Sequence, residues 1–146
     1  MDVFEAIQSR LSIRQFTDRA ISRSEIEQVL DAAVMAPNHR MTQPWRFHVL
    51  GPEARHTYGT VLGSRKAKKV EDPDAARAVV EKVAASEGAV PALIMVGMTQ
   101  DANPEIREED YAATMMAAQN LMLAARAIGL GTHVKSGAVM DDPRTR

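Results

Sequence analysis

Apolar and polar residues alternate along the chain with the periods of helices and strands. Two helix starts are marked by capping boxes, Asp2 with Glu5 and Ser22 with Glu25, and apolar residues recur behind each at helical spacing. Helices are expected over residues 2–9, 22–35, 53–62, 75–86 and 109–128. The last of these is apolar almost all the way round, which predicts that it lies in a core or an interface.

Shorter apolar patterns predict the strands. Residues 45–50 alternate large apolar and polar side chains, and ALIMVGM, residues 92–98, is a continuous apolar run that suits a strand buried on both faces. A short third strand and turn are expected in THVKSGAV, residues 132–139, and the charged stretch at residues 63–74 is expected to be mobile. These elements predict a single domain, residues 1–146, of the α+β (mixed α/β) class.

Composition and charge narrow the class of protein. The net charge is −1, which gives no general attraction to nucleic acid or to an anionic membrane. No apolar run reaches the roughly 20 residues of a membrane span, and acidic residues stand where a signal peptide would be basic, so a cytoplasmic protein is expected. The chain has no cysteine, which excludes disulfides, thiolate catalysis and cysteine-ligated zinc.

Common catalytic and nucleotide-binding motifs are missing from the sequence. There is no P-loop, no G-x-G-x-x-G and no G-x-S-x-G elbow, and the four histidines lack the spacing of H-E-x-x-H, so no metal site is predicted. If the protein is an enzyme, a bound organic cofactor is therefore expected to supply the reactive group.

The first of three segments suited to a ligand is RLSIRQF, residues 10–16. Arg10, Ser12 and Arg14 alternate, so an extended chain would point them to one side. There, guanidinium and hydroxyl groups can bind phosphate oxygens. The competing interpretation is that the arginines cap helix carbonyls or pair with nearby acids.

The other two segments are loops bounded by prolines or glycines. In APNHRMTQPW, residues 36–45, His39 and Gln43 are suited to hydrogen-bond a heterocycle, although an ordinary surface turn explains the same residues. In GLGTHVKSG, residues 129–137, the glycines would let backbone amides approach a flat ligand. The alternative there is a helix end that runs into a strand.

Together, and in this order, the three segments resemble the nitroreductase family of FMN-dependent flavoproteins. RLSIRQF is similar to the family's R-x-S-x-R-x-F element, APNHRMTQPWRFHVL to its QPW-x-F strand entry, and GLGTHVKSG to its second flavin segment. The match is to the short branch that has histidine at the position of His39, and it covers nearly the whole chain. It implies a mixed sheet wrapped by helices and an intertwined homodimer with FMN in clefts at the interface.

The resemblance also assigns residues to the flavin. The N-terminal segment would hold the phosphate and ribityl chain, with backbone contacts from its leucine, and the loop residues would come from the other subunit. Lys135 is the candidate for a cation beside the flavin ring. The implied FMN contacts are Arg10, Leu11, Ser12, Arg14, Met35, His39, Val134, Lys135 and Ser136.

The activity implied is hydride transfer from NAD(P)H through FMN to a nitroaromatic, a quinone or a similar acceptor, with no catalytic side chain assigned. Two alternatives stay open: a flavin-binding protein without reductase turnover, and a relative that consumes reduced FMN with oxygen. A helical interaction module without a ligand is a third. Because the family usually continues with a further strand and a basic tail, this chain is expected to lack that C-terminal segment.

Overall fold

The structure is a computed structural model that describes residues 1–145. Five α-helices and two β-strands form within that range. They are α1 (Val3–Ser9), α2 (Arg23–Ala33), β1 (Trp45–Val49), α3 (Pro52–Ala67), α4 (Pro73–Ala89), β2 (Ile94–Met98) and α5 (Pro104–Ala127). Short 3₁₀ turns occur at His39–Met41, Ala138–Asp141 and Pro143–Thr145. The predicted α+β class is confirmed.

Both predicted capping boxes are formed. The Asp2 carboxylate accepts from the Glu5 amide at 2.9 Å, and the Glu5 carboxylate accepts from the Asp2 amide at 3.0 Å. Ser22 and Glu25 make the same reciprocal pair at the start of α2. Each box satisfies two backbone donors that would otherwise lack a partner, which explains why these helix starts were predicted correctly.

The extents of three predicted elements are wrong. The charged stretch at residues 63–74 is largely helical, because α3 continues to Ala67 and α4 begins at Pro73. Arg65 and Lys66 lie in the last turn of α3, where the helix dipole favours cations. Helix α5 begins five residues earlier than expected, at Pro104, since Asn103 caps it. The third strand reduces to one isolated parallel bridge between Ser12 and Thr132.

The chain forms two compact units. The first unit consists of Met1–Phe16, Ala20–His48 and Ile94–His133. Its core is built from alanines of α2, of the turn that follows α2 and of α5 around the indole of Trp45, and small side chains let the two helices approach closely. The buried members are Ala33, Ala36, Trp45, Ala113 and Ala117.

Strands β1 and β2 run antiparallel. The carbonyl of Pro44 accepts from the Thr99 amide at 2.8 Å, so the start of one strand meets the end of the other. Every residue of β2 is only partly buried, and the prediction of a strand buried on both faces is wrong. Within residues 1–145, β1 is the one strand that pairs with β2.

The second unit consists of Thr17–Arg19, Val49–Leu93 and residues 134–145. Here α3 and α4 are in close contact through glycines: a Cβ built on Gly59 would lie 2.7 Å from the Cα of Ala84, and one on Gly63 would lie 2.8 Å from the Cα of Val80. Tyr58 and Val61 of α3 pack with Val139 in a second core. Whether the chain behaves as the single predicted domain stays a prediction.

Candidate functional site

A cleft of about 200 Å³ lies beside the first predicted segment, within the first unit. We call it the arginine cleft. It is lined by Ser9, Arg10, Leu11, Ile13, Arg126, Leu130, Gly131 and Thr132. Two of the nine predicted flavin contacts, Arg10 and Leu11, therefore line one cavity.

Pairing between two distant segments forms one wall of the arginine cleft. Ser12 and Thr132 form the isolated parallel bridge, and the Ile13 amide donates to the Thr132 carbonyl at 2.8 Å. A Cβ on Gly131 would lie 2.9 Å from Cγ1 of Ile13, so only glycine permits this approach without displacing the neighbour. The segment RLSIRQF therefore pairs with the first residues of GLGTHVKSG, just after the end of helix α5.

Two guanidinium groups stand at the arginine cleft. Arg10 follows α1 directly and is partly buried. Arg126 lies in the last turn of α5, and its Nε donates to the Ser9 hydroxyl at 2.8 Å. Arg126 was not among the predicted contacts, because a basic residue in a last helical turn is commonly explained by the helix dipole. Arg14 is exposed and does not line the cleft.

A second cleft, of about 400 Å³, opens beside the proline-bounded loop of the same unit. We call it the histidine cleft. It is lined by Pro37, Asn38, His39, Glu109, Ala112, Ala113 and Met116. Of the predicted contacts only His39 lines it, while Met35 lies nearby in the chain and is 78% exposed.

The loop beside the histidine cleft is held in an unusual backbone conformation. Three non-glycine residues have positive φ: Arg40 (57°), Met41 (52°) and Gln43 (43°). Such left-handed conformations cost free energy for L residues and persist where surrounding contacts enforce them. Here the Asn38 side-chain oxygen accepts from the Gln43 amide at 2.9 Å, and the Thr42 hydroxyl donates to the buried Asp110 carboxylate at 2.6 Å.

Helix α5 supplies a charged partner for His39. Nδ1 of His39 lies 2.9 Å from Oε1 of Glu109, and the second carboxylate oxygen of Glu109 accepts from Arg40 Nη1 at 3.0 Å. Arg40 also lies 3.5 Å from Glu105, one turn earlier on the helix. Glu109 was not predicted as a site residue, because no local pattern connects residues 70 positions apart.

The remaining predicted contacts, Val134, Lys135 and Ser136, belong to the second unit, and all three are exposed. The Lys135 ammonium donates to Oε1 of Glu87, which is buried in α4. The other oxygen of Glu87 has no partner among the described residues. Burial and, secondarily, the Glu87 charge raise the pKa of Tyr58 above its ordinary value.

Residues 1–145 contain no candidate metal site and no candidate membrane span. No three histidine or carboxylate side chains lie close enough together to hold a metal ion. None of the helices in this range has both the length and the apolar character that crossing a bilayer requires.

Comparison with known proteins places the chain in a family. The model of the nitroreductase family matches residues 7–143. YfhC of Bacillus subtilis, provisionally named an NAD(P)H nitroreductase, is 34% identical over 140 residues, which cover 94% of this chain and 71% of that protein.

Solved structures agree with this assignment. The crystal structure of a nitroreductase-like family protein from Bacillus cereus superposes with a TM-score of 0.81 at 32% identity, covering 99% of this chain and 75% of the other. A provisionally named nitroreductase from Desulfovibrio desulfuricans, solved in complex with FMN, gives 0.68 at 27% identity, covering 98% and 72%. The fold, the family model and these relatives agree with the resemblance of the three segments, and the chain belongs to the nitroreductase family.

Proposed function

We propose that the protein is an FMN-dependent oxidoreductase that passes hydride from NAD(P)H to a nitroaromatic, a quinone or a similar acceptor. The observation that carries this proposal is the arginine cleft, which the pairing of Ile13 with Thr132 builds from the two segments expected to bind flavin. The relative named as an NAD(P)H nitroreductase and the neighbour that contains FMN support the choice of cofactor and reductant.

The residues of the arginine cleft fit the phosphate end of FMN. Guanidinium groups form strong, paired hydrogen bonds with phosphate oxygens, and Arg10 and Arg126 both line the cleft. Arg126 is already oriented by its hydrogen bond to Ser9. The close approach at Gly131 fixes the backbone wall of the cleft. We therefore assign phosphate binding to Arg10 and Arg126, and add Arg126 to the residues expected from the sequence.

The chemistry that bound FMN supplies is hydride transfer between NAD(P)H and the acceptor. The protein's part is to bind and orient the flavin, to exclude water and to balance charge. Lys135 remains the candidate cation beside the flavin ring, and its charge is already offset in part by Glu87. This pairing would limit how strongly Lys135 stabilises negative charge on the cofactor.

We also propose that the protein acts as a homodimer in the cytoplasm. Large apolar side chains are exposed at several places of the first unit, which is unfavourable in water unless a partner covers them. They include Phe4, Met35, Met41, Tyr111, Met115 and Met116. Met35 and His39 would then contact the flavin of the second subunit. Sedimentation equilibrium is expected to give twice the mass of the chain, and a monomer at micromolar concentration would contradict this.

A visible absorption spectrum recorded before and after anaerobic addition of NADH or NADPH tests the proposed function. The purified protein is expected to carry or take up FMN, and the reductant is expected to bleach it. Bound FMN that neither nucleotide bleaches would favour the flavin-binding protein without turnover. Conversion of reduced FMN and oxygen into a flavin fragment would favour the relative that consumes its cofactor, and a protein that takes up no FMN would favour an interaction module.

A further inference from the structure

The histidine cleft contains a polar pair that binding of flavin phosphate does not explain. His39 and Glu109 both line this cleft, and the remaining lining is mostly apolar, from Pro37, Ala112, Ala113 and Met116. At about 400 Å³ the cleft is large enough for a single aromatic ring. A cleft with apolar walls and one convergent polar pair suits a flat organic molecule that exchanges a proton.

The contacts around His39 leave one ring nitrogen for such a molecule. Nδ1 lies 2.9 Å from the Glu109 carboxylate, and this hydrogen bond fixes the orientation of the ring. Nε2 is then the nitrogen available to a ligand. The side chain is 62% exposed, so water can restore a proton that Nε2 gives away.

The surrounding charges hold this pair together. Arg40 donates to the second oxygen of Glu109 at 3.0 Å and also lies 3.5 Å from Glu105, so two further charged groups, Arg40 and Glu105, flank the pair. The backbone on this side is fixed by the left-handed residues Arg40 and Met41 and by the anchor of Thr42 on Asp110. Strained backbone of this kind is commonly kept where a functional group must be positioned.

We propose that His39 is the catalytic proton donor to the acceptor, and that Glu109 is the residue that positions it. This inference rests on the proposed function, because the hydride comes from the flavin. Reduction of a quinone to a hydroquinone consumes one hydride and one proton. The proton passes from Nε2 of the protonated imidazole to the acceptor oxygen, and neutral His39 then takes up a proton from water.

The test compares two acceptors with the FMN-loaded protein. Flavin is first reduced anaerobically with NADH or NADPH and then mixed in a stopped-flow instrument with benzoquinone, which needs a proton, or with ferricyanide, which needs none. In His39→Ala the ratio of the quinone rate to the ferricyanide rate is expected to fall about 10²-fold. Added imidazole is expected to restore it, because it can enter the cleft and supply the missing proton.

Glu109→Ala is expected to lower the same ratio about tenfold, the effect of losing a residue that orients a reacting side chain. Glu108→Ala is the control, because Glu108 is exposed on α5 next to Glu109 in the chain, and it is expected to leave the ratio unchanged. If Glu109→Ala does not fold, Glu109→Gln replaces it, since the amide keeps a similar volume.

A measurement on the protein without cofactor completes the test. In nitrogen-15 NMR of the histidine rings, neutral His39 is expected to carry its hydrogen on Nδ1. The hydrogen is expected to move to Nε2 in Glu109→Ala but not in Glu108→Ala. If neither NADH nor NADPH reduces the flavin, the proposed function is refuted. Normal flavin reduction with an unchanged acceptor ratio in His39→Ala would overturn the present inference alone.

Discussion

Lys135 donates a hydrogen bond to Glu87, a carboxylate on α4 that is only 5% exposed. Lys135 itself retains 38% of its side-chain exposure, so the pair lies at the edge of the second unit with its anion inside. A buried carboxylate is unfavourable without a counter-charge, and its second oxygen has no partner among the described residues. Lys135, the candidate cation beside the flavin ring, therefore also neutralises the buried charge of Glu87.

Removing that lysine is expected to destabilise the protein. Lys135→Met leaves Glu87 buried without its partner and should lower the free energy of unfolding by about 2–3 kcal/mol. The double variant Lys135→Met with Glu87→Leu should recover most of the loss, because no charge is then buried. Urea denaturation of the three proteins measures this, and equal stability of the single and double variants would contradict the account.

Arg10 is expected to contribute directly to FMN binding. Arg10→Ala should weaken the affinity by about 1.5–3 kcal/mol, the range for hydrogen bonds to a charged group. Arg23→Ala is a suitable control, because Arg23 is exposed on α2 and forms an ion pair with Glu27, one turn further along the same helix. Fluorescence titration with FMN gives both dissociation constants. An affinity for Arg10→Ala equal to that of the control would remove Arg10 from the site.

The glycines between α3 and α4 are expected to differ sharply in their tolerance of a methyl group. Gly59→Ala would place Cβ 2.7 Å from the backbone of Ala84, so the helices must separate, at a cost of about 1–3 kcal/mol. At Gly88 of α4 the nearest atom is 3.6 Å away, an ordinary contact. Gly88→Ala should therefore stabilise the helix by about 0.5–1 kcal/mol. Thermal melting of both variants checks the opposite signs.

Asp142 is expected to make the stability depend on acid pH. Hydrogen bonds from the Arg144 side chain and, next, its backbone amide lower the pKa of Asp142 well below its ordinary value of 3.8. Since the folded-state pKa is the lower one, the stabilisation is present at neutral pH and is lost as pH falls below about 4. Asp142→Asn should therefore lower the melting temperature at pH 7, and the difference from wild type should shrink towards pH 2.

The exposed Asp31 of α2 offers the comparison for this experiment. Asp31→Asn should leave the pH dependence of the melting temperature nearly as in wild type. A constant difference between wild type and Asp142→Asn from pH 7 to pH 2 would show that the ion pair does not stabilise the folded state.

Local chemistry explains which parts of this structure were predictable. The capping boxes at Asp2 and Ser22 need only residues three positions apart, so the sequence displays them directly. The charges of Arg65 and Lys66 predict a mobile loop, whereas both residues lie in the last turn of α3. In a last helical turn the same charges are favourable.

Site residues that belong to a short sequence motif were predictable. Site residues that depend on contacts between distant elements were not. Arg10 and Leu11 were expected beside a ligand and line the arginine cleft. Glu109 and Glu87 were not expected, since each meets its partner only after distant elements pack together. No periodicity within a window of sequence contains that information.

The arginine cleft also has a consequence for the order of folding. Arg126 and Ser9 are 117 positions apart, so their contact closes a very long loop. The chain loses the conformational entropy of that closure before the contact contributes any favourable free energy. Helices α1 and α5 can each form from residues that are close in sequence. The cleft between them can form only after the two helices have come into contact. We therefore expect refolding to pass through species that are already helical but not yet able to retain the cofactor, so that recovery of flavin binding lags behind recovery of helix.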